Sequence, residues 1–162
     1  IAGLITKNLD AWEDDDIEEF LQSLGDDTME IGGGSAGPLY GTMIGGLSDP
    51  LSGSDAIDSE GLKAMLEGCL AAMEDITTAR TGDKTMMDAL IPAVEAMQAC
   101  TSDDIKEVLN AGAKAALDGA EATVPMKANF GRARNYGERS IGFADSGATS
   151  WSCMFASFAE VL

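Results

Sequence analysis

Three stretches of this sequence hold the residue types that bind anions. Residues 31–41 read IGGGSAGPLYG, with Gly34, Ser35, Ala36 and Gly37 at the centre. Backbone amides without side chains can form a concave nest for a phosphate, and a following helix turns its positive N-terminus to the same ligand. No Gly-Lys-Ser/Thr follows and no strand precedes, so the stretch is neither a Walker A loop nor a dinucleotide fingerprint. Taken alone it also reads as a tight structural turn. The second stretch, TGDKTMMDAL at 81–90, offers Asp83 and Thr85 as helix caps. Lys84 beside a helix start is electrostatically misplaced for stability, which favours contact with an anion or a partner. The third, GRARNYGERSIGFADSGATS at 131–150, contains Arg132, Arg134 and Arg139; with Lys127 these are four of the ten basic residues. Guanidinium groups match phosphate with paired hydrogen bonds. The plainer reading is surface ion pairing with Glu138, which is worth little.

The rest of the composition limits the chemistry. Lys and Arg number 10 against 28 Asp and Glu, a formal charge of −18 over 162 residues. Such a surface repels nucleic acid and anionic membranes. There is no histidine, so neither a His-based triad nor a His metal site can be built. The acidic run DAWEDDDIEEF at 10–20 lacks the spaced carboxylates and central glycine of a calcium loop and reads as a solvated helix start. Cys69, Cys100 and Cys153 are odd in number and far apart, as buried reduced thiols of a cytoplasmic protein would be. No apolar run reaches membrane-spanning length and no signal peptide is visible. The sequence opens Ile-Ala-Gly rather than with Met, so an N-terminal piece is counted as missing.

Helices must position these loops. Leu4, Ile5 and Leu9 make a short apolar stripe. Asp14–Asp16 read as first-turn acids of a second helix carrying Ile17, Phe20, Leu21 and Leu24, with Gly25 as its stop. Residues 39–47 form a small-residue helix, and SDPLSGSD is turn chemistry. Ser59 caps a long helix with Leu62, Met65, Leu66, Cys69, Leu70 and Met73 on one face. The next helix carries Met86 to Met97, with Pro92 predicting a kink or restart. Thr101–Asp104 cap a helix whose Gly112, Ala116 and Gly119 form a seam, either for a close neighbour or at a frayed end. Residues 147–162 are again helical in period. Strand alternation is absent, so the fold class is all-α, a bundle of six or seven helices forming one domain over 1–162.

In this order and spacing, GGGSAGPLYG, GDKTMMDALIPA and GRARNYGERSIGFADSGATS resemble the nucleotide-binding L subunit of dihydroxyacetone kinases, over nearly the whole chain. The resemblance implies an antiparallel eight-helix barrel, of which about seven helices are present here, with ADP or ATP held at one end. Gly34, Ser35, Ala36 and Gly37 would cover the phosphates and Met86 would line the adenine side. Arg132 and the Asp145-Ser146-Gly147 turn would complete the site. No residue need act as a general base, because phosphoryl transfer is mostly positioning. The ketose would sit on a partner K subunit or domain, and in phosphoenolpyruvate-driven systems a phosphocarrier subunit would recharge the bound ADP. A homodimer or hetero-oligomer is implied.

The family also has a Gly-Asp-Gly-Asp-His-Gly loop whose aspartates hold two magnesium ions. It would lie just upstream of Ile1, so the chain as written is expected to bind nucleotide weakly and catalyse little. Ala36 stands where the family often has Ser, Phe143 where it has His, and Ser146 where it has Pro. The alternative reading is a non-catalytic helical interaction or regulatory protein derived from the same fold.

Overall fold

A computed structural model describes residues 2–12, 16–31, 36–52 and 56–161. Its elements are α1 (Ala2–Ala11), α2 (Ile17–Met29), α3 (Ala36–Ser48), α4 (Ser59–Ile76), α5 (Met87–Ala99), α6 (Ile105–Ala122), a 3-10 segment (Arg132–Ser140) and α7 (Ser146–Val161). There is no strand among the described residues, and the all-α class holds. The chain divides into two compact units, Ile1–Thr77 and Thr78–Leu162.

In the first unit α3 packs against both α2 and α4. The core holds Leu24, Met43, Ile44, Met65, Leu66, Cys69 and Met73. The N-cap of α2 is Asp16, whose side chain accepts from the Glu19 amide, and Glu18 and Glu19 supply the first-turn acids. Asp14 and Asp15 lie outside the described residues. Gly25 does not end α2, which runs on to Met29. Its bareness serves packing instead: a Cβ at Gly25 would lie 2.8 Å from the Gly45 nitrogen and 3.0 Å from the Gly41 carbonyl oxygen. α3 starts at Ala36, three residues before the expected start, and tolerates Pro38 because a first-turn amide has no helical partner to lose. The cap of α4 is Asp58, not Ser59: its Oδ1 accepts from the Gly61 amide at 2.8 Å.

In the second unit α5, α6 and α7 pack on one another, around Met87, Leu90, Val94, Met97, Val108, Trp151 and Phe155. α5 does not restart at Pro92 but runs through it. Proline has no N–H for the carbonyl four residues back, that of Asp88. Gly119 of α6 lies against that same carbonyl, and a Cβ there would collide with it and stand 3.4 Å from Pro92 Cγ. The glycine seam is therefore a close helix approach, and α6 is unfrayed across it. The thiols are not all buried: Cys69 is, Cys100 is partly exposed and Cys153 is exposed. Burial pushes the Cys69 thiol up to about 12.

Candidate functional site

The second unit brings the GDKTM stretch against the Asp145 turn. Asp88, fully buried, sits in the first turn of α5 and accepts from the Gly82 amide at 2.6 Å and the Thr85 amide at 2.7 Å. It folds residues 82–85 back over the helix start and meets part of the capping need that the sequence assigns to Asp83. Thr85 caps as expected, accepting from the Met87 amide at 3.1 Å. Asp83 instead closes the loop, accepting from the Arg80 amide at 2.9 Å and from Asn129 Nδ2 at 2.9 Å. The Arg80 amide, followed by the Asn129 side chain, holds its carboxyl below the ordinary value of 3.8.

Lys84 does not face solvent or an open anion site. It is 3% exposed. Its Nζ donates to the Thr123 carbonyl at 2.8 Å, beyond the end of α6, and to the Phe143 carbonyl at 2.6 Å. Its φ of 59° is left-handed, a conformation costing a non-glycine residue about 1–2 kcal/mol.

Asp145 caps α7. Its Oδ2 accepts from the Ala148 amide and its carbonyl from the Thr149 amide, both at 2.9 Å. Its own amide donates to Thr123 Oγ1 at 2.8 Å. Burial raises the Asp145 pKa, the Ala148 and Gly147 amides oppose this, the Asp88 charge adds to it and the Lys84 charge opposes it. Gly147 meets Met86 here: a Cβ at 147 would lie 3.0 Å from Asp145 Oδ2 and 3.3 Å from Met86 Cβ. Of the expected site residues, Met86, Asp145 and Gly147 therefore come together, with Ser146 exposed between the latter two.

Arg132 opens the 3-10 segment after Gly131, whose φ is 62°. Arg132, Arg134, Arg139 and Lys127 are exposed. None makes an ion pair with a described residue, so the expected pairing with Glu138 is not seen. In an acidic chain these are cations available to a ligand.

Gly34 and Ser35 lie outside the described residues. Ala36 and Gly37 open α3. Gly37 is buried, and a Cβ there would meet the Ile31 carbonyl at 2.5 Å and that of Thr28 at 3.1 Å. One glycine of the loop thus answers to the end of α2.

Among the described residues no three His, Cys, Asp or Glu side chains converge on a metal position. Asp88 and Asp145 give their oxygens to backbone amides. These residues do not fit the magnesium pair implied for the family.

Residues Asp88, Thr123 and Asn129 carry much of this geometry and were not legible as site residues. Thr123 and Asn129 act across long sequence separations, and only the oddity of Lys84 pointed to a tie of that kind.

The model of the DAK2 domain matches residues 2–160. The chain belongs to the DAK2 domain family. It is 37% identical over 141 residues to the ADP-binding subunit DhaL of PEP-dependent dihydroxyacetone kinase 2 from Listeria innocua, covering 86% of this chain and 65% of that protein. It is 32% identical over 148 residues to the ADP-binding subunit DhaL of the PEP-dependent dihydroxyacetone kinase of Escherichia coli, covering 90% of this chain and 70% of the relative. Human triokinase/FMN cyclase is 33% identical over 136 residues, which are 83% of this chain and 23% of that protein. The chain thus spans less than two thirds of the Listeria relative's length.

Proposed function

We propose that this DAK2 chain is the nucleotide-binding phosphotransfer part of a dihydroxyacetone-type kinase, delivering the terminal phosphoryl group of ATP, or of rephosphorylated ADP, to a short ketose. The observation that carries the reading is the meeting of Met86 with Gly147 and Asp145. It joins two motifs some sixty residues apart, and relatives that share the family are named ADP-binding subunits.

In this reading Gly34, Ser35, Ala36 and Gly37 cover the phosphates. Met86 lies along the adenine, and Arg132 and the Asp145-Ser146-Gly147 turn contribute the other contacts of the second unit. Arg132 supplies a positive charge to an otherwise acidic chain, where a nucleotide polyanion would be repelled. The protein then works by positioning the donor, with no general base among these residues. Magnesium, when bound, would neutralise charge on the phosphates, and none of the described residues is assigned to it.

The partners are a K subunit or domain that holds the ketose and, for a phosphoenolpyruvate-driven system, a phosphocarrier subunit; the complex is cytoplasmic. No helix of the described residues is long and apolar enough to cross a membrane. The test is phosphoryl transfer to dihydroxyacetone by the full-length protein mixed with a K-type subunit, supplied either with ATP or with a phosphocarrier and phosphoenolpyruvate. Product formed only when this chain is present supports the reading. Absence of product with both donors, alongside an active control L subunit, contradicts it.

A further inference from the structure

Lys84 is unlike every other cation of the chain. Its ammonium is buried with no carboxylate hydrogen-bonded to it, and it serves two carbonyls that lie 39 and 59 residues away. Among the described residues it is the one non-glycine with positive φ. A glycine would take that backbone without strain but would bring no charge. Strain of this kind persists where the surroundings over-determine it, and it concentrates at functional sites.

The bonds form a closed set. Lys84 Nζ holds the carbonyls of Thr123 and Phe143, and Thr123 Oγ1 in turn holds the amide of Asp145. The backbone is thereby fixed at Phe143 and again at Asp145, two residues apart and directly before Ser146 and Gly147. A turn at the start of a helix has no ladder of its own on its N-terminal side, so its place is set by these ties together with the Gly142 amide, which donates to the Val124 carbonyl at 2.8 Å.

We propose that Lys84 is a positioning residue for the nucleotide: its buried ammonium straps residues 143–147 to the end of α6 and so sets the Asp145–Gly147 turn against Met86. The inference rests on the nucleotide reading above. It gives Lys84 no contact with the phosphates and no part in the transfer itself.

The test compares the full-length wild type with Lys84→Met, which keeps the side-chain length and removes the charge. Lys84→Gly is the second variant, because it also removes the left-handed strain. Two readouts are taken: hydrogen exchange of individual amides, and calorimetric titration with ADP and magnesium. Amides of residues 143–149 should exchange about tenfold faster or more, while those inside α5 and α6 keep their wild-type rates; ADP affinity should fall by about tenfold, because the turn then stands in its binding position a smaller fraction of the time. Local exchange and affinity both within about twofold of wild type would overturn the proposal. So would exchange rising equally through α5, α6 and α7, or failure of both variants to fold, since either would make Lys84 a general determinant of stability. If the wild type itself binds no ADP, the nucleotide reading fails, and the exchange pattern still decides whether Lys84 holds the turn.

Discussion

The two units hold their helices in place by different physics. In the first, α2 and α3 meet through glycines, so that backbone lies on backbone at Gly25, Gly41 and Gly45, and Gly37 lies against the carbonyls of Ile31 and Thr28. In the second, the loops around α5 and α7 are held by buried polar groups: Asp88 on two amides, Lys84 on two carbonyls, and Thr123 between Ala120 and Asp145. Glycine contacts are steric and insensitive to pH, and they are broken by adding atoms. Polar ties are broken by removing atoms or charge, and some of them titrate. Adding atoms therefore damages the first kind of contact, and removing atoms or charge damages the second.

The largest effect is expected where the second unit borrows the first unit's device. Gly119→Ala drives a methyl into the Asp88 carbonyl, a backbone atom that cannot turn aside, and should cost about 3 kcal/mol or more in urea unfolding. Gly25→Ala meets the Gly45 nitrogen and the Gly41 carbonyl less severely and should cost about 2 kcal/mol. If Gly25→Ala proved the more damaging, the ranking by backbone clash would be wrong.

Asp88→Asn sharpens the comparison from the polar side. An amide can accept through one oxygen only, so its NH2 would face either the Gly82 or the Thr85 N–H, and a loss of about 1–3 kcal/mol is expected by thermal unfolding. A variant as stable as wild type would mean that the two amide bonds are dispensable.

Smaller effects follow from the titrating carboxylates. Asp83 has a folded pKa below its ordinary 3.8, so its stabilisation is present above that value and is lost as pH falls through the lower one. Asp145 is shifted upward, so it favours the fold at low pH, and that contribution is lost as pH rises from 3.8 through the raised value. Asp83→Asn should therefore flatten the fall of Tm as pH drops below 3.8, and Asp145→Asn should steepen the rise of Tm as pH climbs above 3.8. Identical profiles for both variants would contradict the opposite signs. The smallest effect is chemical. An aromatic disulfide reagent at neutral pH should modify exposed Cys153 at once and leave buried Cys69, whose thiol is held near 12, unmodified until the protein unfolds.

Helix existence was legible because the apolar spacing at Met65, Leu66, Cys69 and Met73 can only be satisfied by one buried face. Boundaries slipped where a residue had two possible uses. Gly25 has the chemistry of a stop but is spent on a neighbouring helix, and Pro92 has the chemistry of a break but leaves a carbonyl that Gly119 can approach. Part of the site was legible as motifs, and Met86, Asp145 and Gly147 do meet. What periodicity cannot carry is a bond between Lys84 and a carbonyl 59 residues on. Such a tie depends on how α5, α6 and α7 pack, and no local pattern encodes it. Lys84 was legible only as an anomaly, and its partners turned out to be the chain's own carbonyls.

The most direct test of the central claim is a calorimetric titration of ADP, with magnesium, into the full-length protein and its Gly147→Val variant. A side chain at 147 would crowd Asp145 Oδ2 and Met86 at the proposed adenine side. The nucleotide reading predicts saturable binding by the wild type and at least about tenfold weaker binding by the variant at unchanged helix content. No binding by the wild type, or equal binding by both, would contradict it.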